Sequence, residues 1–272
     1  MNIKNIINGV NCKDIANINI DSDNYSAKRI YSNKNIIFCK TDYLPILFSE
    51  LNNHLSKNIL ITQLSDFSIN ETIFNSRPSC IIKWFASNPT FQHPDLIPLP
   101  LGIENHEGTC KGASIDVDFL QKYEPAYNSI VKNTVQIYCN FREDTHFTRP
   151  HVKKFLLENK LGIWESRKIA ADYYKRLSDF LFVASPRGNG IDCHRTWETL
   201  LMGSIPIVQR HFMYDTFTTL PIIQINNWED LSDDKILDYW RNKYNLENLF
   251  INMKELTMEF WFERIKKEFN EL

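Results

Sequence analysis

The chain has 272 residues, 43% of them hydrophobic and 24% charged, with a formal net charge of -2. This is the balance of a globular protein with room for one large domain or two small ones, and it excludes the global basic field that recruits nucleic acid. No run approaches the ~20 apolar residues of a membrane helix, and the first eleven residues lack the pattern of a secretory signal. A cytoplasmic location without membrane insertion is the expectation. The six cysteines (Cys12, Cys39, Cys80, Cys110, Cys139, Cys193) form no CxxC pair, and most lie in apolar runs. They read as small buried hydrophobes in a reducing compartment rather than as zinc ligands.

Short unalternating runs rich in Ile, Val and Phe recur along the chain, at 35–39, 58–62, 80–85, 134–139, 180–184, 205–208 and 221–225. Such runs suit strands buried on both faces of parallel sheets. Helical patterns lie between them. The first spans 42–55. The second starts at Thr148-Arg-Pro, with Thr148 as the expected cap and an early proline. Others cover 172–177, 194–202, 232–244 and 252–269. A further helix is expected over 113–130, after a proline- and glycine-containing stretch at 93–112 with no clear period. Strands alternating with helices predict an α/β fold. The composition shift places a junction at 105–132 between two Rossmann-like halves, an N-terminal domain at 1–125 and a C-terminal domain at 126–272, whose last helix can cross back.

Only 8 residues are glycine, about 3% against a usual ~7%, yet Gly188, Gly190 and Gly203 fall close together. They belong to Phe180-Leu-Phe-Val-Ala-Ser-Pro-Arg-Gly-Asn-Gly-Ile-Asp-Cys-His-Arg-Thr-Trp-Glu-Thr-Leu-Leu-Met-Gly-Ser-Ile-Pro-Ile-Val208, read as strand, loop, helix, turn, strand. The loop from Ser185 to Asp192 follows a strand's carboxyl end, where α/β folds bind ligands. Gly188 and Gly190 let backbone amides approach a ligand closely. The helix starting near Asp192 to His194 offers free N–H groups to a phosphate. Arg187, His194 and Arg195 add charge-assisted donors, and Glu198, one turn beyond Arg195, suits ribose hydroxyls. Ser185, Asn189 and Asp192 complete the candidate nucleotide diphosphate site. The alternative for Arg195 and Glu198 is an ion pair on the helix surface. Gly203 is the expected helix stop.

From Ser185 to Val208 the chain resembles the donor-binding segment of the exostosin-like glycosyltransferases, through Arg195, Glu198, Gly203 and Pro206. It is most similar to the small xylosyltransferases of large algal viruses within that family. Looser similarity covers Asn140-Phe-Arg-Glu-Asp-Thr145 to Arg149, Lys83-Trp-Phe-Ala-Ser-Asn88 and Leu99-Pro-Leu-Gly-Ile-Glu-Asn105. The resemblance implies a GT-B fold, two Rossmann-like domains with a cleft, and inverting transfer with no obligatory metal or other cofactor. It also implies a nucleotide-sugar donor, UDP-xylose, and an oligosaccharide or glycoprotein glycan as acceptor. A retaining transferase and a non-catalytic glycan- or nucleotide-sugar-binding module remain open.

Thr145 and Arg149 follow the 134–139 strand and are candidates to reach the phosphates; Arg149 can instead be solvated. Asp66, just past the 58–62 strand, is the expected base for the acceptor hydroxyl, or else caps the next turn. Its rivals are Asp42, His93, Glu104 and His106. Lys83, Trp84 and Asn88 are candidate acceptor contacts, with Trp84 either stacking on a sugar or lying in the core. Glu165 is a weaker candidate for base or ribose. Two Asp-x-Asp matches, Asp21-Ser-Asp23 and Asp116-Val-Asp118, occur where no metal-diphosphate site is expected.

Overall fold

A computed structural model describes residues 6–22, 33–104, 133–166, 170–232, 238 and 253–272. The chain divides into two compact units. One holds Asn5–Leu101, Gly190–Asp192 and Thr257–Leu272; the other holds Gly102–Asn189 and Cys193–Leu256. Each is an α/β layer built on a parallel five-stranded sheet, Rossmann-like in kind. The expected junction at 105–132 and the helix at 113–130 lie outside the described residues, as does nearly all of the helix expected at 232–244.

The N-terminal unit opens with α1 (Gly9–Ile15), capped by the Asn8 side chain accepting from the Asn11 amide at 2.9 Å. Then come β1 (Ile18–Ile20), β2 (Lys34–Lys40), α2 (Leu44–Leu51), β3 (Lys57–Gln63), α3 (Glu71–Asn75), β4 (Ile81–Ala86) and β5 (Leu96–Pro98). The strands lie side by side in sequence order, all parallel. Leu44, Leu47 and Leu51 of α2 and Phe74 of α3 join Ile37, Leu60 and Trp84 in one core. Pro98 sits on an edge strand, where a missing ladder donor is tolerated. Asp42 stands inside a 3-10 turn (Thr41–Tyr43) and pairs with Lys40 at 3.7 Å. The helix expected from residue 42 therefore begins at Leu44.

The C-terminal unit contains β6 (Asn133–Cys139), α4 (Arg149–Glu158), β7 (Gly162–Trp164), α5 (Ala170–Asp179), β8 (Phe180–Ala184), α6 (His194–Leu201), β9 (Ile205–Gln209), the single turn α7 (Phe212–Asp215) and β10 (Ile223–Ile225). Its strand order is β10-β9-β8-β6-β7, again parallel throughout. The crossover from β6 to β7 runs one way across the sheet and that from β8 to β9 runs the other. Right-handed crossovers in opposite directions put their helices on opposite faces. Accordingly Val152 and Leu156 of α4 share a core with Ile137, Phe182 and Ile207, while α6 packs outside that core, on β9 and α5. The order reverses between β6 and β8, a topological switch point. Gly203 follows α6 with φ 68°, a left-handed C-terminal stop.

The last helix, α8 (Met258–Glu271), belongs to the N-terminal unit. It packs on α1 and β3 and buries Trp261 and Ile265. Thr257 caps it by accepting from the Phe260 amide at 3.3 Å, so it starts several residues after the expected 252.

Trp84 settles in the core. Its ring is fully buried, stacked on Phe74 with centroids 6.0 Å apart and edge-on to Phe48 at 5.7 Å. Its indole N–H donates to Thr62 Oγ1 at 2.9 Å. No face is left for the sugar stacking that the sequence allowed. Trp84→Ala should accordingly lower unfolding free energy by about 3–5 kcal/mol, measured by urea denaturation. A loss within about 0.5 kcal/mol, the range of ordinary surface positions, would contradict the packing.

Candidate anion site at the strand-order switch point

In open α/β sheets ligands bind beyond the carboxyl ends of the strands where the order reverses. In the C-terminal unit that place is framed by the segment after β6, Asn140 to Thr148, and the segment after β8, which starts at Ser185. Helices α4 and α6 start from these segments. Their N-terminal dipole ends favour an anion. Neither start is closed by its own cap residue, since Thr148 and Cys193 make no side-chain cap bond. The expected Thr148 cap fails because its Oγ1 is taken by His146 Nδ1 at 2.8 Å.

Arg149 is the central side chain. It is only 5% exposed, and its guanidinium donates to three carbonyls: Nε to Arg187 O at 2.8 Å, Nη1 to Arg142 O at 2.9 Å and Nη2 to Pro186 O at 2.9 Å. These bonds tie the two segments together and rule out the solvated alternative. Among the described residues it has no carboxylate partner. Burial pushes its pKa down to about 10, with the Arg195 charge adding to the effect and the Cys193 thiol and Asp144 opposing it. Arg195 donates through Nη2 to Asn140 O. Both guanidiniums sit near the Phe141 ring, 5.5 and 5.9 Å from its centroid. The Nε atoms of Arg187 and Arg195 are buried with no acceptor among the described residues.

The glycine at 188 is required by close approach. A Cβ there would lie 3.1 Å from Arg149 Nη2 and 3.7 Å from Thr145 Oγ1. Thr145, Arg149 and Gly188 are therefore neighbours, with Arg149 also bonded to the Arg187 carbonyl. Ser185 is buried instead, with Oγ 2.9 Å from Thr196 Oγ1 and 3.3 Å from Cys193 Sγ. It braces the start of α6. Asn189 is exposed.

Gly190 and Asp192 serve the N-terminal unit. A Cβ on Gly190 would lie 2.9 Å from Asn88 Nδ2. The Asp192 amide donates to Asn88 Oδ1 at 2.8 Å, and the buried Asp192 Oδ2 accepts from the Leu101 amide at 2.8 Å. Asn88 itself adopts φ 54° and donates to Ser65 O at 3.3 Å. Asn88 thus pins backbone, and the two expected donor contacts at 190 and 192 are anchoring residues in this arrangement. Lys83 lies within β4, held by Asp95 at 2.7 Å with Glu268 at 3.9 Å. Asp66 is exposed, three residues past β3. The turn after it is capped by Asn70, whose Oδ1 accepts from the Ile73 amide at 2.8 Å, so Asp66 is not that cap. His93 Nδ1 accepts from the Asp95 amide at 3.0 Å; His106 lies outside the described residues.

Glu198 does not pair with Arg195. Its carboxylate, 5% exposed, accepts from Tyr173 OH at 2.9 Å on Oε2, and from Tyr174 OH at 3.1 Å and the Glu104 amide at 3.4 Å on Oε1. Burial and the Glu198 charge hold both phenols well above the usual tyrosine range, which keeps them donors. His194 Nδ1 lies 2.8 Å from Gly102 O, and its Nε2 is 3.8 Å from Glu104 Oε2. Glu165 is taken by Arg176 at 2.6 Å. Sequence reasoning gave no role to Phe141, His146 or His211 and read Tyr173 and Tyr174 as packing residues of their helix. Only Phe141, directly after the β6 run and before a charged loop, left a local signal.

Among the described residues no group of three or more His, Cys, Asp or Glu side chains is placed to hold a metal ion, and Asp21 pairs with Lys13. Asp23, Asp116 and Asp118 are outside the described residues. No described helix is long and apolar enough to cross a membrane. No protein-family profile matches the chain, and no curated protein matches it.

His146 and His211 are both held below the ordinary histidine pKa, by burial first and by Arg187 second. An anion beside Arg187 would raise both pKa values, so the bound state would hold more protons and binding would tighten as pH falls. Sulfate keeps a constant charge over this range. Its affinity should rise between about pH 7.5 and about pH 5.5, measured by calorimetry, and the slope should flatten when His146→Gln and His211→Gln are combined. An unchanged slope in that double variant would contradict the placement.

Proposed function

We propose that the chain is an inverting, metal-independent glycosyltransferase of the GT-B class, similar to the exostosin-like enzymes, with a nucleoside diphosphate sugar as donor. One observation carries the reading. Two guanidiniums, Arg149 and Arg195, meet beside the Phe141 ring at the switch point, Arg149 also bonds the Arg187 carbonyl, and no carboxylate among the described residues pairs with either. A buried cation without a counter-charge is costly, and a diphosphate supplies that charge. Glu198, whose backbone lies on α6 three residues after Arg195, is the acceptor for ribose hydroxyls. UDP-xylose is the donor implied by the resemblance, and a glycan hydroxyl is the acceptor.

In this reading the acceptor hydroxyl attacks the anomeric carbon in a single displacement, which inverts that centre. Asp66, on the loop after β3, takes the hydroxyl proton. The C1–O bond to the diphosphate breaks, and the leaving diphosphate collects its charge against the arginines and the α6 N-terminus. Such stabilisation is worth most where donors are already fixed, as the three carbonyl bonds of Arg149 fix that guanidinium.

A second assignment of the base has its own observation. Glu104, 3.8 Å from His194 Nε2, is a carboxylate of the C-terminal unit with a histidine beside it.

A screen of nucleotide sugars by thermal stabilisation identifies the donor, since a ligand raises the melting temperature according to its affinity. With that donor, Asp66→Asn should reduce transfer by about 10²- to 10⁴-fold and leave the thermal shift unchanged. Full transfer by Asp66→Asn together with a comparable loss in Glu104→Gln would move the base to Glu104. Absence of stabilisation by every nucleotide sugar would contradict the donor site.

A further inference from the structure

The two oxygens of Glu198 are not equivalent. Oε1 is held from within the fold, by Tyr174 OH at 3.1 Å and the Glu104 amide at 3.4 Å, and Tyr174 is 2% exposed. Oε2 has a single hydrogen bond among the described residues, from Tyr173 OH at 2.9 Å. Tyr173 as a residue is partly exposed, although its hydroxyl is buried against Glu198, and its ring lies 5.3 Å from that of Tyr174. One oxygen is thus fixed by buried partners, and the other is covered by a side chain that reaches solvent.

The chemistry of Oε2 decides what can replace that cover. An ionised carboxylate only accepts hydrogen bonds. Anything that binds there must donate, and a vicinal diol offers two O–H groups at a spacing a carboxylate can take. We infer that Tyr173 occupies, in the ligand-free protein, the position on Glu198 that a ribose hydroxyl takes, and so sets by competition how tightly the site holds a diol-bearing nucleotide. Tyr173 is a positioning residue in this scheme: it touches Glu198, not the reacting atoms. It keeps a nearly buried carboxylate satisfied while the site is empty, since leaving one unpaired is costly. The same bond subtracts from binding, because an incoming hydroxyl exchanges one hydrogen bond for another instead of making a new one.

This inference rests on the nucleotide reading of the site, and the experiment separates the two. Titrate UDP and 2′,3′-dideoxyuridine diphosphate into the wild type, Tyr173→Phe and Tyr174→Phe, with melting curves to confirm that each variant is folded. Removing the Tyr173 hydroxyl strips Oε2 of its intramolecular donor. UDP should then bind Tyr173→Phe about three- to tenfold more tightly, as the net worth of one hydrogen bond implies. The dideoxy analogue, with no hydroxyl to place, should show no gain. Tyr174→Phe removes a donor from the inward oxygen and should not tighten UDP. A structural role alone for Tyr173 would shift both ligands together or weaken both. Equal gains for the two ligands, or no gain for UDP, would overturn the inference while leaving the nucleotide site intact. Failure of the wild type to bind UDP at all would overturn both.

Discussion

The buried guanidinium of Arg149 is the interaction on which the rest of the C-terminal unit depends. A cation removed from water must be compensated, and three main-chain carbonyls do part of that work. They belong to residues 142, 186 and 187, so the same side chain fixes the loops after β6 and β8. Carbonyl dipoles are not a counter-ion, however. The depressed pKa of Arg149, about 10, reflects the remaining cost. A group whose folded pKa lies below its unfolded value is a liability over the whole range in which it is charged. Stability rises only as pH climbs through the folded pKa. At neutral pH the natural remedy is an anion, and Arg187 and Arg195 strengthen the demand because each keeps a buried Nε without an acceptor among the described residues.

The fold explains why the charges meet at this place. The strand order reverses between β6 and β8, the kind of position at which open α/β sheets bind ligands beyond the carboxyl ends of the strands, and two helix N-termini lead away from it. Gly188 leaves room for Arg149 there. The other glycine of the loop has a different task. Gly190 gives Asn88 its space, and Asp192 locks to Asn88 and to the Leu101 amide. Within the segment from Ser185 to Cys193, Gly188 thus packs with Arg149 in the C-terminal unit, while Gly190 and Asp192 pack with Asn88 and Leu101 in the N-terminal unit.

Much of the sheet was legible in the sequence. The runs that form β2, β3, β4, β6, β8 and β9 are long enough and apolar enough to announce themselves, and Gly203 marked the end of α6. The strands β1 and β5 were not legible, being three residues each, interrupted by Asn19 and ended by Pro98, whereas the equally short β10 lies inside the longer apolar run at 221–225. Trp84 was ambiguous for a physical reason: in a strand covered on both faces nothing alternates, so the side of the sheet that a ring takes cannot be read. The candidate site was legible where neighbours in sequence are neighbours in space, as from Arg187 to Arg195. It was not legible where the fold makes the contact. Arg149 reaches carbonyls 37 and 38 residues away, and Tyr173 reaches Glu198 across 25. Local reasoning placed Glu198 and Arg195 on one helix face and left an ion pair between them open, whereas tertiary packing turned the carboxylate to the tyrosines and the guanidinium to Asn140.

The central claim is that the arginine cluster holds a diphosphate. Calorimetric titration of UDP and of uridine into the wild-type protein tests it most directly, because the two ligands differ by the diphosphate that the cluster would bind. UDP should bind at least about a hundredfold more tightly than uridine, with an affinity that falls as salt is added. Equal affinities for the two, or UDP binding that salt leaves unchanged, would contradict the account.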